Sequence, residues 1–301
     1  MRTVRSVAEL REALAVERER TDGGSIGLVP TMGCFHDGHL SLLRRARQLA
    51  DVVVVSLFVN PFQFVPGEDL AAYPREEQRD AALAEAEGAD LLFAPPVAEI
   101  YPDGFDTVVR VRGLTEVLCG ERGARGPEHF DGVTTVVTKL FNLVRPQVAC
   151  FGQKDAQQAL VIEKLVRDLD LGVRIEICPT VREPDGLAMS SRNAYLEPAD
   201  RPRALALHRA LGAAEQRVAA GERDGAAVIA AARAQLHAAG VEPEYLELRS
   251  TADLSPAQRV NGSTLLSVAA RVGRARLIDN TVLSAADAPS APLPEPNGGT
   301  P

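Results

Sequence analysis

Two imidazoles set the first chemical question. In Leu28-Val-Pro-Thr-Met-Gly-Cys-Phe-His-Asp-Gly-His-Leu40, His36 and His39 stand on either side of a glycine. An apolar run beginning at Ile26 reads as a buried strand that Pro30 and Gly33 end, and residues 38–50 then carry apolar positions at the i, i+3, i+4 spacing of a helix. Both histidines therefore fall at a helix N-terminus. Unpaired backbone N–H groups and the positive end of the helix dipole face the same crevice there, which suits phosphate oxygens. Pro30, Thr31 and Met32 line its floor. The chemistry this arrangement offers is to grip a triphosphate and stabilise charge while an α-phosphorus is attacked and pyrophosphate leaves. The same pair also reads as a capping or core pair, or with Cys34 as a two-histidine metal site, although metal pairs on one helix face prefer i, i+4.

Three further stretches carry polar groups in the same style. Asn60-Pro-Phe-Gln-Phe64 follows an apolar segment directly. The amides of Asn60 and Gln63 can donate to carboxylate or hydroxyl oxygens without adding charge, beside the apolar walls of Phe62 and Phe64; an Asn-Pro turn with packed aromatics is the plainer alternative. Phe151-Gly-Gln-Lys-Asp-Ala-Gln-Gln158 repeats the pattern of strand, glycine turn, polar residues and helix. Gly152 permits close backbone approach to a ligand, Lys154 neutralises phosphate, Asp155 is placed to cap the helix and to accept ribose hydroxyls, and Gln158 lies one turn on, within reach of a small polar substrate. In the long polar segment 179–193, Ser190, Ser191 and Arg192 supply two hydroxyls and a guanidinium suited to β- and γ-phosphates. Asp80, near the start of a helix, is the candidate carboxylate for Mg²⁺ beside a triphosphate; a solvated helix-face acid is its ordinary reading.

The elements that must position these residues follow from periodicity. A helix is expected over 7–19, ended by Thr21-Asp-Gly-Gly24, and residues 51–59 are almost continuously apolar and β-branched, as in a central parallel strand covered on both faces. Alternation continues with helices at 75–87, 133–143 and 156–169 and strands at 90–93, 147–151 and 173–178. The fold class is α/β, a doubly wound, Rossmann-like parallel sheet whose ligands sit at the carboxyl ends of its strands. After Leu196 come two alanine-rich helices at 202–219 and 225–239 and short strands at 245–249, 264–270 and 276–278, read as a smaller C-terminal α+β lid. The division is thus 1–180 for the nucleotide- and acid-binding part, 181–284 for the lid, and 285–301 for a tail of Ala, Pro, Gly and Ser expected to be disordered.

Composition bounds the partners. The chain has 301 residues, 46% of them hydrophobic, enough for a sizeable core. A net charge of -8 and the lack of a Lys/Arg stripe with interleaved aromatics argue against a nucleic-acid surface. Cys34, Cys119, Cys150 and Cys178 show no paired short spacing, and there is no apolar leader or membrane-length run, so a cytoplasmic protein without a membrane partner is expected.

Taken together the motifs resemble one family. Pro-Thr-Met-Gly-x-x-His-x-Gly-His, Phe-Val-Asn-Pro-x-Gln-Phe, Tyr-Pro-Arg, His-Phe-x-Gly-Val-x-Thr-Val-Val, Phe-Gly-Gln-Lys-Asp-x-Gln-Gln and Met-Ser-Ser-Arg-Asn occur in order across residues 27–280. This set resembles the pantothenate synthetase family, the pantoate–β-alanine ligases, within the His-x-Gly-His nucleotidyl-transferring Rossmann superfamily. The resemblance implies a Mg²⁺- and ATP-dependent homodimeric ligase that adenylates pantoate, releases pyrophosphate, and then lets β-alanine displace AMP to give pantothenate. It implies ATP contacts for His36, His39, Gly152, Lys154, Asp155, Val181, Met189, Ser190, Ser191 and Arg192, and pantoate contacts for Met32, Gln63 and Gln158, with Asn60 in the same pocket motif. The segment 118–130 is longer than the family pattern, so Arg122 and Arg125 both stand as counterparts of the family's arginine. Two other readings are a nucleotidyltransferase, whose product would keep the nucleotide, and a non-catalytic nucleotide-binding protein.

Overall fold

The computed structural model describes residues 1–64, 70–71, 73–121 and 124–284. The expected tail at 285–301, and Arg122, lie outside the described residues.

Six parallel strands build the main sheet: β1 (Arg2–Val4), β2 (Ile26–Thr31), β3 (Val52–Leu57), β4 (Leu91–Phe93), β5 (Val148–Gly152) and β6 (Arg174–Cys178), in the order β1-β4-β3-β2-β5-β6. The Val-Val-Val-Val run of β3 is buried throughout, because a strand covered by helices on both faces has no polar side to show. Between the strands run α1 (Val7–Arg20), α2 (Asp37–Leu49), α3 (Glu77–Ala86), the short α4 (Val97–Ile100), α5 (Pro127–Val144) and α6 (Ala156–Asp168). The chain leaves β2 for β3 on one side and returns to β5 on the other. The switch point therefore lies between β2 and β5, the two strands whose exit turns carry the imidazoles and Lys154.

The smaller part holds α7 (Arg201–Ala219) and α8 (Gly225–Ala238) against an antiparallel sheet, β7 (Pro243–Ser250), β8 (Ser263–Val272) and β9 (Ala275–Ser284). Alanines at 204, 206, 210, 214 and 232 are buried along the helix faces, so the alanine-rich composition is a packing surface. The two parts are not separate in their cores: Leu254 and Leu265 join the cluster beneath the parallel sheet, and Tyr245 and Ile278 pack against it.

The short α4 falls where no helix is expected, and three further elements differ from expectation. β1 pairs with β4 at the sheet edge although only Val4 of its three residues is buried, too short a stretch for alternation to register. α5 begins at Pro127, six residues early, because Gly126 (φ 81°) turns the chain and Pro127 starts the helix with its φ already set. β9 extends to Ser284 and carries polar side chains that reach the parallel sheet. Among the described residues no helix is long and apolar enough to cross a membrane.

Candidate active site

The turn after β2 is left-handed at Gly33 (φ 89°) and Cys34 (φ 54°), and it delivers His36 as the N-cap of α2. The Gly38 N–H donates to His36 Nδ1 at 3.2 Å, and the His36 N–H to His39 Nδ1 at 3.4 Å. Each imidazole thus uses Nδ1 as acceptor, which leaves the proton on Nε2. The imidazole packs closely over Gly38: a Cβ there would lie 2.8 Å from His36 Cε1 and would push the ring aside. The rings sit 4.2 Å apart, and Phe35 stacks on His39 at 5.3 Å. Burial, reinforced for His36 by Lys154 and for His39 by its neighbour His36, lowers their pKa values to about 4 and about 3. Both are neutral donors at pH 7, the form that hydrogen-bonds phosphate oxygens without bringing a buried charge. Among the described residues no three His, Cys, Asp or Glu side chains converge as a metal-ion group, so the pair lacks the further ligands of a metal site.

Beyond β3, the Asn60 amide is fully engaged. Its Oδ1 accepts from Phe62 N–H at 3.2 Å and Tyr101 Oη at 2.9 Å, while Nδ2 donates to Gly132 O at 3.0 Å and Gln63 Oε1 at 3.1 Å. With Oε1 taken, Gln63 offers Nε2, which lies 3.0 Å from Met32 Sδ. Asn60 therefore orients Gln63 and has no spare group of its own for substrate, a refinement of its expected role. His129 donates from Nδ1 to Gln63 O at 2.6 Å, and its Nε2 faces Arg125 Nη1 at 3.2 Å. Periodicity alone places His129 before the helix; its part in holding Gln63 is visible only once α5 and the turn after β3 come together. Gly132 sets their distance, since a Cβ there would fall 2.3 Å from Phe62 O.

After β5, Lys154 stands 3.7 Å from Asp155. Asp155 occupies the N-cap position of α6, yet its carboxylate makes no cap hydrogen bond; it is half exposed beside the lysine, so the expected capping role is corrected. The turn is tied from β9 instead: Asn280 Nδ2 donates to Gln153 O at 3.0 Å and Lys154 O at 2.9 Å, and its Oδ1 accepts from Gln153 Nε2 at 2.9 Å. Gln158 presents a side chain with no hydrogen-bond partner among the described residues, while its neighbour Gln157 is spent on Leu114 O, Val117 O and Cys119 N–H.

Segment 179–193 folds back as a hairpin, with the Met189 N–H on Val181 O and the Glu183 N–H on Leu187 O. Arg182 anchors it by a bidentate pair to Asp279 at 2.6 and 3.0 Å. The hairpin reaches α2, because a Cβ on Gly38 would lie 3.8 Å from Met189 Cβ. The Ser190 hydroxyl caps the following short turn by accepting from Arg192 N–H at 3.3 Å.

These groups surround one cavity of about 550 Å³. Pro30, Thr31, Met32, His36, His39, Asn60, Gln63, Gly152, Lys154, Asp155, Gln158, Val181, Met189, Ser190, Ser191 and Arg192 all line it. Asp80 does not. It is fully buried behind the turn, where its two oxygens accept the N–H groups of Cys34 and Phe35 at 2.7 Å each. The expectation of a Mg²⁺ ligand at Asp80 does not fit this position. Arg125 lines the cavity, as do Arg271 and Arg274 from the β8–β9 hairpin, which motif reading passes over because nothing local marks them.

The class that this arrangement defines is a nucleotide-using α/β enzyme that activates a small polar substrate beside the switch point. A family model described as pantoate-beta-alanine ligase matches residues 2–282, and the chain belongs to that family of pantothenate-forming ligases. It is 52% identical over 288 residues to the pantothenate synthetase of Moorella thermoacetica, covering 95% of this chain and 100% of that one. The crystal structure of pantothenate synthetase from Thermus thermophilus superposes with a TM-score of 0.87 at 48% identity, over 93% of this chain and 99% of that one. That of the Francisella tularensis ligase, complexed with beta-gamma ATP and beta-alanine, gives 0.75 at 32% identity, over 94% and 97%.

Proposed function

We propose that the cavity condenses pantoate with β-alanine in two steps, adenylation and then aminolysis. The observation that carries this is the junction of two kinds of wall in one cavity: neutral imidazoles with Lys154 and the Ser-Ser-Arg hairpin for a triphosphate, and the oriented Gln63 amide with Gln158 for a small hydroxy acid. The ligand pair named for the Francisella structure supports the choice of nucleotide and amine.

In the first step the pantoate carboxylate, held by Gln63 Nε2 and Gln158, attacks the α-phosphorus. The Nε2–H groups of His36 and His39 and the Lys154 ammonium stabilise the charge that develops on the phosphate oxygens, and Ser190, Ser191 and Arg192 bind the departing pyrophosphate. Adenylation replaces oxide by AMP as leaving group, so the amine of β-alanine can then attack the acyl carbon without a covalent enzyme nucleophile. Mg²⁺ would arrive with ATP as part of that substrate and would supply neutralisation of phosphate charge alongside Lys154. We assign residues 1–180 to ATP and pantoate and 181–284 to closure over them, and propose a homodimer in the cytoplasm, to be tested by light scattering and by fractionation.

The chemistry is tested by following pyrophosphate release from Mg-ATP with pantoate, and AMP and pantothenate by mass spectrometry. Pantoate-dependent exchange of labelled pyrophosphate into ATP without β-alanine is the expected result. A product that retains the nucleotide would favour a nucleotidyltransferase, and silence from folded, ATP-binding protein would favour a binding role.

A further inference from the structure

The turn that presents the two histidines is held from behind, by the first turn of α3. Asp80 Oδ2 accepts the Cys34 N–H and Oδ1 the Phe35 N–H, each at 2.7 Å, and the carboxylate is fully buried. Successive N–H groups in a left-handed turn form a concave anion seat, and here a side chain of the protein fills it. The approach is close: a Cβ on Gly33 would lie 3.0 Å from Asp80 Oδ2. Arg79, next along α3, donates to Phe35 O at 3.1 Å, so the peptide groups on both sides of Phe35 are gripped. Phe35 in turn stacks on His39 and directly precedes the N-cap His36.

We propose that Asp80 is a positioning residue for adenylation: its carboxylate clamps the 33–35 turn and so fixes where His36 and His39 meet the triphosphate, without contacting Mg²⁺ or substrate. The proposal rests on the adenylation reading above. Burial raises the Asp80 pKa while the two N–H bonds oppose that rise, as for a carboxylate kept inside for its hydrogen bonds. Asparagine is the informative replacement, because Cys34 and Phe35 use different oxygens of Asp80, and the Nδ2 that takes the place of one oxygen sets a donor against one of the two N–H groups.

The test compares wild type, Asp80→Asn and the milder, surface-side Arg79→Gln by pantoate-dependent pyrophosphate release across a Mg²⁺ titration at fixed ATP. Backbone amide NMR of Cys34 and Phe35 is recorded on the same full-length proteins. The clamp predicts that both amide resonances move upfield in Asp80→Asn, and that kcat falls by about tenfold or more while half-saturation by Mg²⁺ is unchanged. Arg79→Gln changes kcat in the same direction by less. A rise in the Mg²⁺ requirement, with kcat restored at high Mg²⁺, would overturn the proposal in favour of a metal ligand. Unmoved amides in a dispersed, folded spectrum, or full kcat with moved amides, would also overturn it. Silence of the wild type in pyrophosphate release overturns the adenylation reading and the catalytic half of the proposal with it, whereas unmoved amides overturn the clamp alone.

Discussion

The side-chain amide of Asn280, on the last strand of the small sheet, donates to the main-chain carbonyl of Lys154 at the switch point of the large one. The same Nδ2 reaches Gln153 O, and Asp279 beside it holds Arg182 of the hairpin. Two adjacent residues of β9 thus fasten both the lysine turn and the Ser-Ser-Arg hairpin, which are the parts assigned to phosphate.

Replacing Asn280 by Ala should loosen the lysine turn without removing a group that touches substrate. The expected outcome is an increase in KM for ATP of about tenfold, the size of one or two lost buried hydrogen bonds, with KM for pantoate nearly unchanged. Initial-rate kinetics with each substrate varied would check the split; equal effects on both substrates would speak against it.

Gln63→Glu should be more damaging than its size suggests. Asn60 Nδ2 still holds one oxygen of the new carboxylate, so the other takes the place of the Nε2 donor and faces the pantoate carboxylate. A lost donor plus like-charge repulsion should raise KM for pantoate by about a hundredfold or more at neutral pH. Asn60→Ala should raise it less, by about tenfold, because Gln63 remains present but free to turn.

How much of this is legible in the sequence depends on the separation of the partners along the chain. The His36, Asn60, Lys154 and Ser190 stretches each announce themselves locally, since a strand end, a turn and a few polar residues fall within ten positions, and the cavity joins them. Hidden are the partners supplied from afar: Asn280 meets Lys154 across 126 residues, and His129 meets Gln63 across 66. Asp80 is misread for the same reason. A helix-start aspartate looks alike in sequence whether it faces solvent, a metal or the back of a turn, and only the packing of α3 against the 33–35 turn decides. Likewise the early start of α5 depends on the left-handed backbone at Gly126, whereas its Pro-Glu-His-Phe residues show little helical periodicity.

The imidazole pair carries a pH signature. With folded pKa values near 4 and 3, against 6.5 for an exposed histidine, the unfolded chain binds more protons than the folded one between those limits. Stability contributed by these groups is therefore full above pH about 6.5 and is lost as pH falls toward 4 and below, with a slope of up to about 1.4 kcal/mol per pH unit for each. Urea titrations of wild type and His39→Ala between pH 4 and 7 would check this: the variant should lose less stability on acidification. At pH 7.5 the same variant should stay folded and lose adenylation by about a hundredfold or more, as expected for removal of a transition-state donor.

Gly132 offers a way to perturb the pantoate side without touching a polar group. α5 crosses the Asn60–Gln63 turn so closely that an added methyl would meet Phe62 O at 2.3 Å, Phe62 C at 2.4 Å and Gln63 N at 2.6 Å, all of them backbone atoms that cannot rotate away. In Gly132→Ala either α5 or the turn must move, stretching the Asn60–Gly132 and His129–Gln63 bonds together. Overpacking of this kind costs about 1–3 kcal/mol, partly offset by the better helix propensity of alanine. The variant should therefore lose several degrees in Tm and raise KM for pantoate more than KM for ATP, because the lysine turn and hairpin are fastened from β9 rather than from α5. Thermal unfolding together with initial rates in both substrates would measure the two effects. An ATP-selective defect would mean that α5 reaches the phosphate side by a route other than Gln63.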